Sequence, residues 1–352
     1  MSTPTRRIFL WLARGAVAVA AIWVASVDAQ ERSAVTLIEN VRIFDGVHPA
    51  LSAPSSVVIR GNTIEKISTS PIPTDRSADT QIIAGGGRVL MPGLIDAHWH
   101  AMMVRSTPAQ LLSSDIGYST LQAGAEATAT LMRGFTSVRD MGGPAFALKR
   151  AIDDGVLPGP RIYPSGAVIT ISGGHGDFRQ LIELPRTTGT LSRVELLGGS
   201  AVADSPDEVR KRAREQLMQG ASQIKLTAGG GVASPFSPLE VVTFTEAELR
   251  AAVEAATDWG TYVATHAYTS TAIQRSITAG VKVIGTRALD GRGDRAAHRR
   301  EGHLAQYAAI RRPWWRKDAS CRSAAANVAG RERHRRRVRI REKIQDQDRV
   351  RN

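Results

Sequence analysis

The chain has a single cysteine, Cys321, among 352 residues. No intramolecular disulfide can form, which neither favours nor excludes an oxidising compartment. No short-period repeat is present, so solenoid and propeller arrays are set aside. No glycine motif of the nucleotide-binding kind follows a strand, which removes the dinucleotide- and phosphate-loop readings. A basic character is also missing from most of the chain. The formal net charge is +13, yet 20 of the 46 Lys/Arg and only 8 of the 33 Asp/Glu lie from Gly285 onward. Residues 1–284 are close to neutral, so the basicity describes one segment and says nothing about partners of the main body.

What is present is a globular composition, 42% hydrophobic and 22% charged, in a chain long enough for one large core or two domains. The N-terminus has three parts. Arg6, Arg7 and Arg14 precede the apolar run GAVAVAAIWVASV, and small residues at Val27 and Ala29 follow. This layout predicts an export signal over residues 1–29, cleaved after Ala29. TRRIFL also resembles the twin-arginine signal. An uncleaved anchor is the alternative, although a run of 13 residues is short for a membrane span. The expected location is periplasmic or secreted.

Residues 30–90 read as a small β subdomain. VTLIENVRIFDG, SSVVIRGNTIEKIS and TQIIAGGGRVLMPG are rich in Val and Ile and broken by Gly, Asn and Pro turns, predicting antiparallel strands in a β-sandwich. From about Leu90 the rhythm becomes strand, loop, amphipathic helix. LIDAH, FTSVRDM, RIYPSGAVIT, SQIKLTA, TYVATHA and VKVIG are the strand candidates. Ser205, Pro206 and Gly220 bound one helix, and Thr245, Glu248 and Gly260 bound another. Alternation of this kind predicts an α/β fold with a parallel sheet, either doubly wound or a (β/α)8 TIM-like barrel. The barrel over residues 91–284 is expected to be incomplete, with five to six strands.

LIDAHWH places His98 and His100 at i and i+2, hence on one face of a strand. At the C-terminal end of a first barrel strand both would face the mouth, where barrel sites form. Neutral imidazoles so paired suit a divalent transition metal, though alone the pair more often means two unremarkable histidines. Lys225 ends the strand SQIKLTA, where a cation is costly to bury unless paired or chemically altered. His266 ends YVATHA, and His175 and Asp177 follow the third strand in ISGGHGD.

PGLIDAHWH, QIKLTAGGG and ATHAYT together resemble the amidohydrolase superfamily of metal-dependent hydrolases. GFTSVRDMGG and SGGHGD narrow the likeness to its imidazolonepropionase-like and Xaa-Pro or Xaa-Arg dipeptidase branch. The resemblance runs from about Val35 to Ile284. It implies a hydrolase of amide or peptide bonds in small substrates such as dipeptides, using one or two divalent ions, zinc foremost. His98 and His100 would hold one metal, a carboxylated Lys225 would bridge two, and His266 would hold the second. Lys225 and His266 are thereby the catalytic candidates. His175 and Tyr268 resemble substrate contacts of the dipeptidase branch, with a structural Tyr and a loop-stabilising His as the alternatives.

The resemblance also implies a histidine at the end of strand six and an aspartate at the end of strand eight. Neither is in place. After VKVIG the chain continues TRALDGRGDRAAHRREGHLAQ and shows no apolar periodicity to its end. Shifted forward by one nucleotide, with third bases free, Ala288–Arg311 and Arg337–Asn352 each recover a helix-then-strand pattern. This predicts a coding frame displaced from about Gly285, with activity impaired. The competing expectations are a non-catalytic remnant and a protein whose basic tail, 285–352, binds nucleic acid through Arg, His, Trp314 and Trp315. An exported chain with no recognisable binding motif makes nucleic acid the least expected partner.

Overall fold

The computed structural model describes residues 34–75, 79–185, 190–234 and 236–285. The export signal and the basic tail lie outside the described residues. Two compact units divide after Pro92.

In the first unit, β1 (Val35–Ile43) is central, flanked by β2 (Ser55–Arg60) and β4 (Thr80–Ala84), with β3 (Thr63–Ser68) outside β2. A tight turn through Gly61, at φ +58°, closes the β2–β3 hairpin. Such a turn favours glycine because L side chains meet the backbone there. The expected antiparallel arrangement is corrected. β1 runs antiparallel to β2 but parallel to both β4 and the short β5 (Val89–Leu90). The link after β3 is long enough to carry the chain back across β1, which a two-residue turn cannot do. Among the described residues the unit is one mixed five-stranded sheet, and the predicted sandwich is not its description. A bulge between Ile38 and Val41, with Asn40 at φ +52°, lets β1 pair with β4 along its first half and β5 along its second.

Among its described residues the second unit carries eight strands. β6 (Leu94–Trp99), β7 (Phe135–Asp140) and β8 (Arg161–Pro164) form one parallel sheet in that order. β9 (Val168–Thr170), β10 (Ser200–Val202), β11 (Ile224–Thr227), β12 (Val263–His266) and β13 (Val283–Ile284) form a second, ordered β10-β9-β11-β12-β13 and again parallel. RIYPSGAVIT is therefore two strands rather than one. The break falls at Ser165–Ala167, where Gly166 takes φ +72° and a Cβ would sit 2.3 Å from Gln216 Oε1. That same oxygen accepts from the Ala167 amide at 2.9 Å, so a polar side chain replaces the interrupted ladder. The two sheets are stitched across the break. Gln223 Nε2 donates to the carbonyls of Asp140 and Tyr163, each at 3.0 Å, and the Ser222 amide donates to Pro164 at 2.8 Å.

Helices α1 (Pro108–Ser113), α2 (Ile116–Met132), α3 (Phe146–Asp153), α4 (Arg193–Leu196), α5 (Pro206–Met218), α6 (Glu246–Asp258) and α7 (Ser270–Thr278) lie between the strands. The ends of α5 and α6 follow the sequence signals. Ser205 accepts from the Glu208 amide, and Thr245 and Glu248 form a reciprocal capping box. Val209, Ala213 and Leu217 of α5 and Leu249, Ala252 and Ala256 of α6 are buried with Ile169, Ile224, Leu226 and Val263 of the second sheet. Small residues at these helix positions let α5 and α6 approach the strands closely, so the strand ends are held rigidly. No helix among the described residues is long and apolar enough to cross a membrane.

Candidate active site

Because the second unit's strands are all parallel, their C-terminal ends lie on one side. There β6 delivers His98 and, one residue past its end, His100, with ring centroids 5.1 Å apart. β11 delivers Lys225 and β12 delivers His266. In the register Lys225 pairs with Ala264, while His266 pairs with Thr227. Lys225 thus starts two residues deeper than His266, and its longer side chain makes up the difference. A Cβ built on Gly285, just beyond β13, would meet His98 Nδ1 at 3.1 Å and Lys225 Nζ at 3.5 Å. The His175 ring lies 4.3 Å from that of His266, and Tyr268 meets His266 edge-on at 4.7 Å. The six residues picked from the sequence therefore occupy one end of one unit.

The hydrogen bonds settle which ring nitrogens carry protons. His98 Nδ1 donates to the Gly285 carbonyl at 3.0 Å and His100 Nδ1 to the Gly142 carbonyl at 3.3 Å. A carbonyl only accepts, so each Nδ1 holds the hydrogen and each Nε2 keeps its lone pair. His266 is turned the other way. Its Nε2 donates to Gly230 O at 2.9 Å, which leaves Nδ1 with the lone pair.

Burial keeps all four imidazoles neutral. It pushes His98 far below the usual range, His100 and His175 to about 4, and His266 to about 3, with the Lys225 charge adding to the effect at each. Lys225 itself is 3% exposed and is pushed down to about 7, first by burial and then by the Arg139 guanidinium. Among the described residues no carboxylate pairs with it. A lysine in that position is about half deprotonated near pH 7, and the deprotonated form is a nucleophilic amine.

The donor types fit a divalent metal. Neutral imidazoles anchored through the opposite nitrogen to a carbonyl are the arrangement that orients a metal-binding histidine. The set is nevertheless partial, since no three His, Cys, Asp or Glu residues converge as a metal-holding group among the described residues.

Two contributors escaped the sequence reading. Asp140, at the end of β7 and fully buried, accepts from the Ala101 amide at 2.6 Å and the Gly142 amide at 3.2 Å. It props up the turn that follows His100 and the loop whose carbonyl anchors that ring. Burial pushes its carboxyl up to about 7 against those two bonds. Its signal was an acidic residue closing the alternating strand FTSVRD. Ser234 is the second. Its Oγ accepts from the Gly176 amide at 2.8 Å and lies 3.0 Å from His175 Nδ1. Asp177, beside His175 in sequence, turns away and grips Arg179 through two bonds of 2.8 and 2.6 Å.

A parallel α/β unit with histidines and a buried lysine at its strand ends defines a class, and sequence comparison gives the same answer. The amidohydrolase family's sequence profile matches residues 89–310, and the chain belongs to that family. Among curated proteins it is similar to the ochratoxinase of Aspergillus niger, with 33% identity over 207 residues, 56% of this chain and 42% of that enzyme. Among solved structures it resembles an amidohydrolase at 38% identity and TM-score 0.65, covering 71% of this chain and 60% of the other. A prolidase complexed with N-methylphosphonate-L-proline follows at 35% identity and TM-score 0.64, with the same coverage. A Xaa-Pro dipeptidase with methionine bound in its active site shows 31% identity and TM-score 0.59, covering 71% of this chain and 61% of that one. These neighbours imply a TIM-barrel-like α/β fold. The chain spans less than half the length of the curated relatives it matches and about three-fifths of these structures.

Proposed function

We propose that this chain is an exported, metal-dependent hydrolase of amide bonds in short peptides, encoded with an incomplete catalytic set. The observation that carries the reading is the meeting, at one end of the second unit, of carbonyl-anchored neutral imidazoles with a buried lysine that no carboxylate pairs with among the described residues. The names of the related proteins, a prolidase and a Xaa-Pro dipeptidase among them, support small peptide-like substrates.

In this reading His98 and His100 would hold one divalent ion, zinc foremost, and His266 would help hold a second. The Lys225 amine, partly deprotonated near neutral pH, would add to carbon dioxide to give a carbamate and a proton, turning a cation that is costly to bury into an anionic oxygen donor for the metal site. A metal there would polarise the scissile carbonyl and supply an activated water. His175 and Tyr268, beside His266, position the substrate. The small β subdomain (30–90), the partial barrel (91–284) and the basic tail (285–352) are the corresponding domains.

The histidine and aspartate that the resemblance implies for strands six and eight are not in place in the sequence after Val283–Ile284, which is why turnover is expected to be impaired. A coding frame displaced from about Gly285 accounts for both the loss and the basic tail. Resequencing the gene tests this directly, since an unbroken frame through codon 352 would remove the explanation. The function is tested by metal analysis and dipeptide hydrolysis on residues 30–352, beside a version with the tail rebuilt in the shifted frame. Full loading and turnover only in the rebuilt protein identify this chain as a damaged copy. Partial loading without turnover in both forms identifies a non-catalytic remnant. Salt-sensitive nucleic-acid binding that disappears on removing residues 285–352 would replace the hydrolase reading with that of a basic binding arm.

A further inference from the structure

The first two strands of the second unit do not pair evenly. Asp96 stands opposite Val138 and Trp99 opposite Asp140, so β6 places Ala97 and His98 where β7 has Arg139 alone. An extra residue of this kind is a bulge. It leaves main-chain groups without ladder partners and re-aims the side chains beside it. Here the bulge falls on the first histidine of the candidate site.

Two side chains replace the interrupted ladder. Asp96 Oδ1 accepts from the His98 amide at 3.0 Å. Arg139 Nε donates to the Ala97 carbonyl at 2.7 Å, so the residue facing the bulge holds it with its own side chain. The guanidinium reaches further. Its Nη1 donates to the Tyr262 hydroxyl at 3.2 Å, and Tyr262 directly precedes β12, the strand that ends in His266. A planar, rigid fork bonded at two points has little freedom left. Arg139 therefore links the strand of His98, in one sheet, to the strand of His266, in the other. The Gly285 carbonyl fixes how the His98 ring rotates, but that bond keeps its aim only if the backbone beneath the ring stays in place.

We propose that Arg139 is the positioning residue for His98. By tying the Ala97 carbonyl to Tyr262, it holds the bulge that aims the imidazole and sets β6 against β12. The consequence for metal binding rests on the hydrolase reading. The inference deepens that reading by giving a role to a side chain whose two hydrogen bonds go to Ala97 and Tyr262, not to a histidine.

Ring tautomers, which need no turnover, test the positioning apart from the chemistry. Full-length protein carrying 15N-histidine is examined metal-free by long-range 1H–15N correlation, with zinc affinity measured beside it. Wild-type His98 should show its hydrogen on Nδ1. Arg139→Met keeps the length of the side chain and loses the donor. Arg139→Gln puts an amide nitrogen where Nε stood. Both lose the charge and the Tyr262 bond, so the difference between them reads the bond to Ala97 alone. Arg139→Met should average the His98 tautomers and weaken zinc by about 10–100-fold, as when an orienting partner is lost. Arg139→Gln should restore the His98 pattern and bring zinc to within about three- to tenfold of wild type, the worth of the one bond still missing. Tyr262→Phe, a milder change that leaves the guanidinium on Ala97, should behave like Arg139→Gln and guards against a misfolded Arg139→Met. His100, anchored by Gly142, should keep its pattern throughout, which a general loosening of the fold would not allow. An unchanged His98 in Arg139→Met, equal losses in Arg139→Met and Arg139→Gln, or a change shared equally by His100 overturns the proposal. If wild type takes up no zinc while His98 still answers to Arg139, the positioning holds and the metal reading falls.

Discussion

Asp140 Oδ2 stands 2.6 Å from the amide nitrogen of Ala101, while Oδ1 of the same carboxylate takes the Gly142 amide. One buried acid on β7 thus fixes both the residue after His100 and the loop whose carbonyl anchors His100. Replacement of Asp140 by Ala leaves two amides without acceptors, so a loss of about 1–3 kcal/mol for each is expected. Asp140→Asn keeps one acceptor and sets an NH2 against the other amide, so it should fall between wild type and Asp140→Ala. Chemical denaturation reads the stability. Zinc titration should show affinity falling about 10–100-fold, as is usual when an orienting partner is lost. Unchanged zinc binding in Asp140→Ala would separate the acid from the metal site.

Lys225 supplies the second test. An amine pushed down to about 7 is largely unprotonated at pH 8 and can react with carbon dioxide. Metal uptake by wild type should therefore rise with added bicarbonate, and 13C-labelled bicarbonate should give a carbamate resonance. Lys225→Met should show neither effect. A bicarbonate response that survives in Lys225→Met means another group is being carboxylated.

The pH dependence of the metal-free protein follows from the same groups, in two separate windows of the same sign. Histidines held neutral in the folded state, His100 and His175 at about 4 against an ordinary 6.5, take up protons on unfolding below pH 6.5. Stability should therefore drop as pH falls from 6.5 towards 4. Lys225, at about 7 against 10.5, is protonated in the unfolded chain but neutral in the folded one between those values. Stability should therefore climb from pH 7 towards 10, where the unfolded state binds the extra proton. Thermal melts in a chelator measure both limbs, and Lys225→Met should flatten the alkaline one and soften the acid one, because the lysine charge contributes to the histidine shifts.

Gly231 offers a steric test. A methyl group there meets His175 Nδ1, Cγ and Cε1 at 2.2–2.5 Å, so Gly231→Ala must displace the imidazole or the loop. Weaker substrate binding is expected, with a smaller change in zinc affinity, because His98 and His100 are anchored elsewhere while only His266 leans on the adjacent Gly230 carbonyl. A loss of zinc equal to the loss of substrate binding would argue that His175 belongs to the metal set.

Much of this site could be read from the sequence because strand ends are local events. The i, i+2 spacing of His98 and His100 gives their shared face, and apolar neighbours place Lys225 and His266 within strands. Helix caps at Ser205 and Thr245 are equally local. What escaped reading depends on residues distant in the chain. The break at Gly166 answers to Gln216, 50 positions later, and the parallel placement of β4 against β1 is set by the path of the connection, not by alternation. Asp140 looked like the polar end of a strand until the Ala101 amide, 39 residues away, was found against it.

The rings of His98 and His100 are each held by a main-chain carbonyl, from Gly285 and from Gly142. These carbonyls belong to segments far from β6, one just past β13 and one just past β7. A small slide of either segment would rotate an imidazole and swing its lone pair off target. In the proposed site, zinc affinity would therefore work as a gauge of backbone alignment. A variant that never touches the mouth, but shifts the end of β13 by a few tenths of an ångström, should register first as a loosened ion.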